Sequence, residues 1–208
     1  MSPFLPIDII ALIIDIVGEN NDTDLLKELA LVSYSFLHIC SKHLFATIDL
    51  HDIDMTYSIA SSKKGFVKPL ESRPSVVKYI RKLTFTIEDG HIQSPQFSTQ
   101  HLFDKDDNLL SPILPNLLRT IPLLNSLKID AWFLDWNYLN SSLISAFLHL
   151  MHLPTINHID LSYIHNFPLS SLVPSVNLLR LDIHHLRISS NVDQLKELVP
   201  LNLLSSRR

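Results

Sequence analysis

The start of the chain contains a segment in which apolar residues recur at helical spacing. They fall three or four positions apart or side by side, as on a helix that buries a broad face. These residues are Ile9, Ile10, Ile13, Ile14 and Val17. Pro6 suits the first turn of a helix, where its missing N–H costs nothing, and Asp8 lies near the positive end of the helix dipole. The pattern predicts a helix over residues 6–17 that Gly18 ends.

Two further helices and a strand are predicted after a short polar break. Thr23 or Asp24 can cap the second helix, and Ser33 or Ser35 can begin the third. The apolar positions are Leu25, Leu26, Leu29, Ala30 and Val32 in the second helix, and Phe36, Ile39, Cys40, Leu44 and Phe45 in the third. Residues 46–50, ATIDL, then alternate apolar and polar side chains, which predicts a strand.

The remainder of the chain repeats the pattern L-x-x-L-x-L, with Ile or Phe at some of the apolar positions. The four copies are Ile80–Phe85, Leu124–Ile129, Ile156–Leu161 and Leu178–Ile183. In each copy the last two apolar residues flank a polar one, as in a short strand that buries one face. Successive copies begin forty-four, thirty-two and twenty-two residues apart. Only the last interval matches the usual length of a leucine-rich repeat.

Helical patterns separate the strands of these copies. Residues 111–121 predict a helix with Pro115 in its first turn, and residues 143–151 predict another that Pro154 ends. Helices alternating with short strands predict a mixed fold of the α+β or α/β class. Two architectures have this order of elements: a short, irregular leucine-rich-repeat-like solenoid, and a plain α/β layer whose strands share a pattern. Residues 51–75 and 89–108 predict loops.

Composition excludes several functions. The single cysteine, Cys40, cannot close an intrachain disulfide, so we expect a buried thiol in a protein of the cytoplasm or nucleus. A net charge of -4 with well-mixed charges offers no surface for nucleic acid. No apolar run approaches the length of a membrane span, and we expect neither signal peptide nor membrane anchor. The three glycines stand far apart, which argues against a phosphate-binding loop or a nucleophile elbow.

The N-terminal residues resemble an F-box. The family pattern has Leu-Pro, an acidic residue two positions on and aliphatic pairs, and this chain has Leu5-Pro6-Ile7-Asp8-Ile9-Ile10 and Ile13-Ile14. Its second half, an Asp-Leu start, a Leu, Val-Ser and an aromatic, is matched by Asp24-Leu25, Leu29, Val32-Ser33 and Phe36. The chain departs from the pattern at Phe36, where the family often has Trp, and its basic residues in the third helix are reduced to Lys42. The trailing HLFATIDL and the degenerate repeats are similar to fungal members of the family.

This resemblance implies a substrate-receptor subunit of a Skp-cullin-F-box type ubiquitin ligase. Residues 1–50 would be the F-box, 51–75 a linker and 76–208 the repeat region that binds a target protein. The Skp adaptor, and through it a cullin, would bind the N-terminal helices. The residues implied in adaptor binding are Leu5, Pro6, Asp8, Ile9, Ile10, Ile13, Leu25, Leu29, Val32, Ser33 and Phe36. The alternative is a non-catalytic structural or scaffold protein with no ligase association.

The apolar content of the helices favours a protein partner independently of the resemblance. Three short helices with this many aliphatic residues have more apolar surface than a bundle of their size can bury by itself. Some of that surface must meet another molecule or the rest of the chain. Because a few anchors provide most of the affinity of an interface, we expect the adaptor to depend on a small set. That set is Pro6, Ile9, Ile10, Leu29, Val32 and Phe36.

Other chemistry finds little support in the sequence. The aromatic segment after the second copy is a candidate substrate-binding site, although such residues also serve as packing. Its members are Trp132, Phe133, Trp136 and Tyr138. The histidine pairs His149/His152 and His184/His185 lack a carboxylate at metal-ligand spacing, and residues 104–108, DKDDN, are followed by Leu where a calcium loop needs Gly. We therefore predict no metal, no cofactor and no catalytic residue.

Overall fold

Three helices form the N-terminal part of the protein. The computed structural model describes residues 5–50, 74–87, 113–139 and 141–185. Helix α1 spans Ile7–Glu19, α2 spans Thr23–Ala30 and α3 spans Tyr34–Leu44. All three follow the helical periods of the sequence.

Each of these helices has a defined start. The Pro6 carbonyl accepts hydrogen bonds from the N–H groups of Ile9 and Ile10 at 3.0 and 3.2 Å, which closes the first turn of α1. Helix α2 is capped by Asp22, whose side chain accepts from the N–H of Leu25. The expectation of Thr23 or Asp24 as the cap was therefore wrong by one position, because the helix already includes Thr23. Of the two residues predicted to begin α3, Ser33 is the one that caps it.

The rest of the described chain is a mixed fold of helices and a parallel five-stranded sheet. The strands are β1 Thr47–Leu50, β2 Lys82–Ile87, β3 Ser126–Asp135, β4 His158–His165 and β5 Arg180–His184. They pair in parallel in chain order, β1-β2-β3-β4-β5. Helix α4 Ile113–Arg119 precedes β3 and helix α5 Ser141–Met151 precedes β4; single 3-10 helices span Pro74–Tyr79, Trp136–Tyr138 and Leu169–Leu172. The predicted α/β class is confirmed.

Equivalent positions of the repeated pattern lie side by side across the sheet. One row of adjacent residues is Ile48, Leu83, Leu127, Ile159 and Leu181, and the next is Leu50, Phe85, Ile129, Leu161 and Ile183. Residues 45–50 therefore form a further copy of the pattern, which the sequence analysis treated only as a strand. The first row is buried throughout, and helices α4 and α5 contribute to the same core. Phe147 of α5 packs edge-on against Phe85 at 5.0 Å between ring centroids.

The helices α1–α3 have a separate small core. It consists of Ile14, Leu26, Ala30 and Cys40, with partly buried side chains around it. The bundle joins the sheet where α3 runs into β1: the carbonyl of Ala46 accepts from the N–H groups of Arg81 and Lys82. β1 thus belongs to the sheet, although the sequence analysis placed residues 1–50 in one unit. The predicted loops 51–75 and 89–108 lie outside the described residues, apart from the start of the 3-10 helix at Pro74.

Candidate protein-binding surface

Helix α1 is apolar on both sides. Ile14 is buried, and Ile10 and Val17 pack with it against the bundle core. The opposite side carries aliphatic residues spaced three or four positions apart that remain 45% to 57% exposed. These are Ile9, Leu12, Ile13 and Ile16, together with Leu5 just before the helix. A helix that is apolar on both sides is normally buried on both. Within the described residues nothing covers this outer stripe.

The turn between α2 and α3 exposes a second apolar group. Leu31 is 87% exposed, Val32 64% and Tyr34 83%. The turn itself is ordered by hydrogen bonds: the N–H groups of Leu31 and Val32 donate to the carbonyls of Glu28 and Leu29. An ordered backbone that presents large apolar side chains to water is typical of a protein-binding surface. The stripe on α1 together with this turn is called the apolar surface below.

The predicted adaptor-binding residues divide into two groups by burial. The exposed ones are Leu5, Pro6, Asp8, Ile9, Ile13, Leu25, Val32 and Ser33. Ile10, Leu29 and Phe36 are half-buried and pack against the bundle core. A change in the second group would therefore disturb the bundle as well as any interface. Ser33 and Pro6 also have local roles, since one caps α3 and the other closes the first turn of α1.

The apolar surface includes residues that the sequence analysis did not select. They are Leu12, Ile16, Leu31 and Tyr34. A signal for two of them was present, because Leu12 and Ile16 continue the helical spacing of Ile9 and Ile13 on one side of α1. No sequence signal distinguishes Leu31 from a core residue, since its exposure depends on where α2 ends.

A group of charged and polar contacts holds α1 against α3. The Asp15 carboxylate lies 2.5 Å from Nζ of Lys42 and 2.7 Å from Nε2 of His43. The hydrogen bond from Lys42, and to a smaller extent that from His43, lowers the pKa of Asp15 below its ordinary value. Together they outweigh burial, which would raise this pKa. The His43 ring fits against Gly18 so closely that a Cβ at this position would overlap Nδ1 and Cγ of the ring. Gly18 lies inside α1 and does not end it, contrary to the prediction.

Of the four aromatic residues predicted as a substrate-binding site, the structure describes the side chain of Trp136 alone. Trp136 is buried, with Phe167 at 4.7 Å and Phe147 at 6.1 Å between ring centroids. It therefore fits the packing alternative. Trp132 and Phe133 lie where the pairing of β3 with β4 shifts register, and Tyr138 ends a 3-10 helix; only the backbone of these three is described.

The face of the sheet opposite the apolar rows carries a hydrogen-bonded network of polar side chains, in which His158 is partly exposed and Asp182 is buried. Ser126 Oγ lies 3.1 Å from Nδ1 of His158, whose Nε2 lies 3.0 Å from Oδ2 of Asp182. Arg180 donates to the same oxygen at 2.7 Å. Burial tends to raise the pKa of Asp182, but the hydrogen bonds from His158 and Arg180 outweigh it and lower this pKa.

A serine, a histidine and an aspartate linked by hydrogen bonds resemble the residue set of a hydrolase triad. A triad also needs free N–H donors beside the serine to bind an oxyanion. Here the N–H groups of Asn125 and Ser126 both donate to the carbonyl of Arg81, at 2.7 and 3.0 Å. The network therefore fits a structural role that connects β3, β4 and β5, and we assign it no catalytic role.

The cysteine and histidines form no reactive or metal-binding site among the described residues. Cys40 is fully buried in the bundle core, and burial raises the pKa of its thiol, which makes it unreactive in the folded state. His149 is exposed, and His152 hydrogen bonds the carbonyl of Ser171 at 2.6 Å. Within the described ranges no three His, Cys, Asp or Glu side chains are grouped to hold a metal ion. Residues 104–108 lie outside those ranges.

Of the helices described, none has the length and apolarity to cross a membrane.

Comparisons with known proteins identify no relative. No protein-family model matches the chain, and neither curated protein sequences nor solved structures provide a significant match. The relation to F-box proteins therefore stays a prediction from the quoted residues.

Proposed function

We propose that this protein is a substrate-receptor subunit of a Skp-cullin-F-box type ubiquitin ligase. The apolar surface binds the Skp adaptor, and the sheet region binds a target protein. The observation that carries the proposal is the uncovered stripe on α1 together with the exposed turn at Leu31 and Val32. Both lie in the segment that resembles an F-box.

The architecture of the sheet supports the second half of the proposal. Five parallel strands in chain order, with equivalent pattern positions adjacent, are what a leucine-rich-repeat-like solenoid requires. In this arrangement one face of the sheet packs on helices and the other carries polar side chains. Of these, Lys128 and His158 are partly exposed, Asp182 is buried, and we infer that a target protein would meet the exposed ones.

Binding should depend on the exposed members of the surface rather than on the half-buried ones. Fully burying a Leu or Val side chain contributes roughly 1.5–3 kcal/mol. Leu31 and Val32 keep most of their surface in water in the free protein, so nearly all of that contribution is left for a partner. Replacing both with Ser is expected to weaken adaptor binding by about 2–4 kcal/mol, or roughly 30- to 700-fold in Kd.

The test is a titration of the purified full-length chain with the purified Skp adaptor. The variant Leu31→Ser/Val32→Ser is compared with Val173→Ser/Val176→Ser, which changes two exposed apolar residues far from the bundle. We expect the first pair to lose binding and the second to keep the wild-type Kd. Equal affinity of both variants would contradict the assignment of the surface. Alanine at Leu5 and Pro6 provides a further check on the start of α1.

The scaffold alternative is distinguished by co-purification. A tagged full-length chain expressed in cells should retain the adaptor and a cullin if it belongs to a ligase. A chain that retains neither, while circular dichroism shows that it is folded, would fit a scaffold protein that uses its helices in another way.

A further inference from the structure

Four adjacent strands each place a basic side chain on the same face of the sheet. This face, called the polar face below, carries the residues that alternate with the two apolar rows. Strands β2 to β5 contribute, in that order, Lys82, Lys128, His158 and Arg180. These four residues are called the basic strip. Strand β1 carries the exposed Asp49 on the same face, so the strip is limited to β2–β5.

The acidic side chains of the polar face lie deeper than the basic side chains that they contact. The Arg180 side chain is 67% exposed, whereas Asp182, which accepts a hydrogen bond from it at 2.7 Å, is 9% exposed. Lys128 is likewise 40% exposed, and its partner Asp160 is 17% exposed. A molecule that approaches this face therefore meets basic groups first, although the whole chain has a net charge of -4.

Two members of the basic strip keep unused binding capacity. Arg180 donates to Asp182 through Nε, and its terminal nitrogens make no hydrogen bond to a described residue. The ammonium group of Lys82 is exposed and forms no ion pair within the described ranges. Because Asp182 already holds the guanidinium group in place, little side-chain freedom is lost when Arg180 binds another carboxylate. Both groups are suited to pair with acidic side chains of another protein.

We propose that the basic strip binds a short acidic segment of the target protein. The proposal rests on the proposed function, in which the sheet region binds the target. Adjacent strands lie about 4.7–4.9 Å apart, so Lys82 on β2 and Arg180 on β5 are separated by roughly 14 Å. An extended segment of about five residues covers this distance. Where the segment reaches Asp49 we expect neutral or basic residues, because like charges repel.

Peptide selection with the full-length chain tests the chemistry of the segment. The immobilised protein is exposed to a display library of random short peptides, and the retained peptides should be enriched in Asp and Glu relative to the library. A synthetic copy of the most enriched peptide should bind more weakly as the NaCl concentration is raised, because salt screens exposed charges. Enrichment of apolar or basic peptides, or no enrichment, would overturn the proposal.

Two charge variants locate the binding site of that synthetic peptide. Lys82→Ser/Arg180→Ser removes two exposed members of the strip, and Lys27→Ser/Arg119→Ser makes the same change of charge in α2 and α4. The loss of two exposed ion pairs should raise the Kd of the first variant by about 2- to 30-fold. The second should keep the wild-type Kd. Equal affinity of the two variants would contradict binding at the strip, and so would tighter binding of a single-stranded oligonucleotide than of the peptide.

Titration with the purified Skp adaptor separates this proposal from the proposed function. Both variants keep the apolar surface, so each should bind the adaptor with the wild-type Kd, which also shows that it is folded. If the peptide test fails while the adaptor binds, the acidic target is refuted and the ligase assignment stands. If the wild-type chain does not bind the adaptor, the proposed function is refuted, and the peptide test still decides whether the strip binds acidic segments.

Discussion

The contact between Gly18 and His43 predicts that Gly18→Ala changes the free energy of unfolding in opposite directions with His43 present and with His43 replaced by alanine. Alanine is a better residue than glycine inside a helix by about 1 kcal/mol, so Gly18→Ala in α1 would ordinarily stabilise the protein. Here the new methyl group would overlap the His43 ring, which must move away. The ring then loses its hydrogen bond to Asp15.

The two effects can be weighed against each other. A hydrogen bond to a charged group contributes about 1.5–3 kcal/mol, and partial exposure of Asp15 places this one toward the lower end. We therefore expect Gly18→Ala to destabilise the protein by about 0.5–2 kcal/mol. In the His43→Ala background there is no ring to displace, and the same change should stabilise by about 0.5–1 kcal/mol.

The assay is urea denaturation followed by far-UV circular dichroism for the four members of this double-mutant cycle. The coupling between the two positions should be about 1–3 kcal/mol, as found for residues in direct contact. If Gly18→Ala stabilised both backgrounds equally, the close packing of α1 on α3 through this histidine would be refuted.

Three further predictions concern stability and reactivity. Because hydrogen bonds lower the pKa of folded Asp15, the ionised carboxylate stabilises the protein above the unfolded pKa of about 3.9, and this stabilisation is lost as the pH falls through the folded pKa. The variant Asp15→Asn should therefore have a lower urea midpoint than the wild type at neutral pH, and the difference between the two midpoints should become smaller below about pH 4. Phe147→Ala should lower the free energy of unfolding by about 3–5 kcal/mol, whereas Ser145→Ala on the exposed side of α5 should change it by less than about 0.5 kcal/mol. Cys40 should react with a thiol reagent only at the rate of unfolding, and fast labelling under native conditions would contradict its burial.

The bundle illustrates what depends on tertiary structure in the candidate site. Its helices follow from local spacing, and Ser33 was one of the two residues predicted to begin α3. Sequence spacing does not determine which side of α1 faces the core, since Ile10 and Ile9 are equally apolar neighbours. Only the packing of α2 and α3 against Ile14 half-buries the first and leaves the second exposed.

The sequence by itself determined the helices, the short strands and the α/β class, because helical and alternating periods reflect local backbone geometry. Tertiary structure decided the parallel order of the strands, the place of β1 in the sheet and the burial of Trp136. It also brought Ser126, His158 and Asp182 into one hydrogen-bonded network from three separate strands. These features depend on contacts between residues far apart in the chain, and local sequence periodicity does not determine which distant residues come into contact.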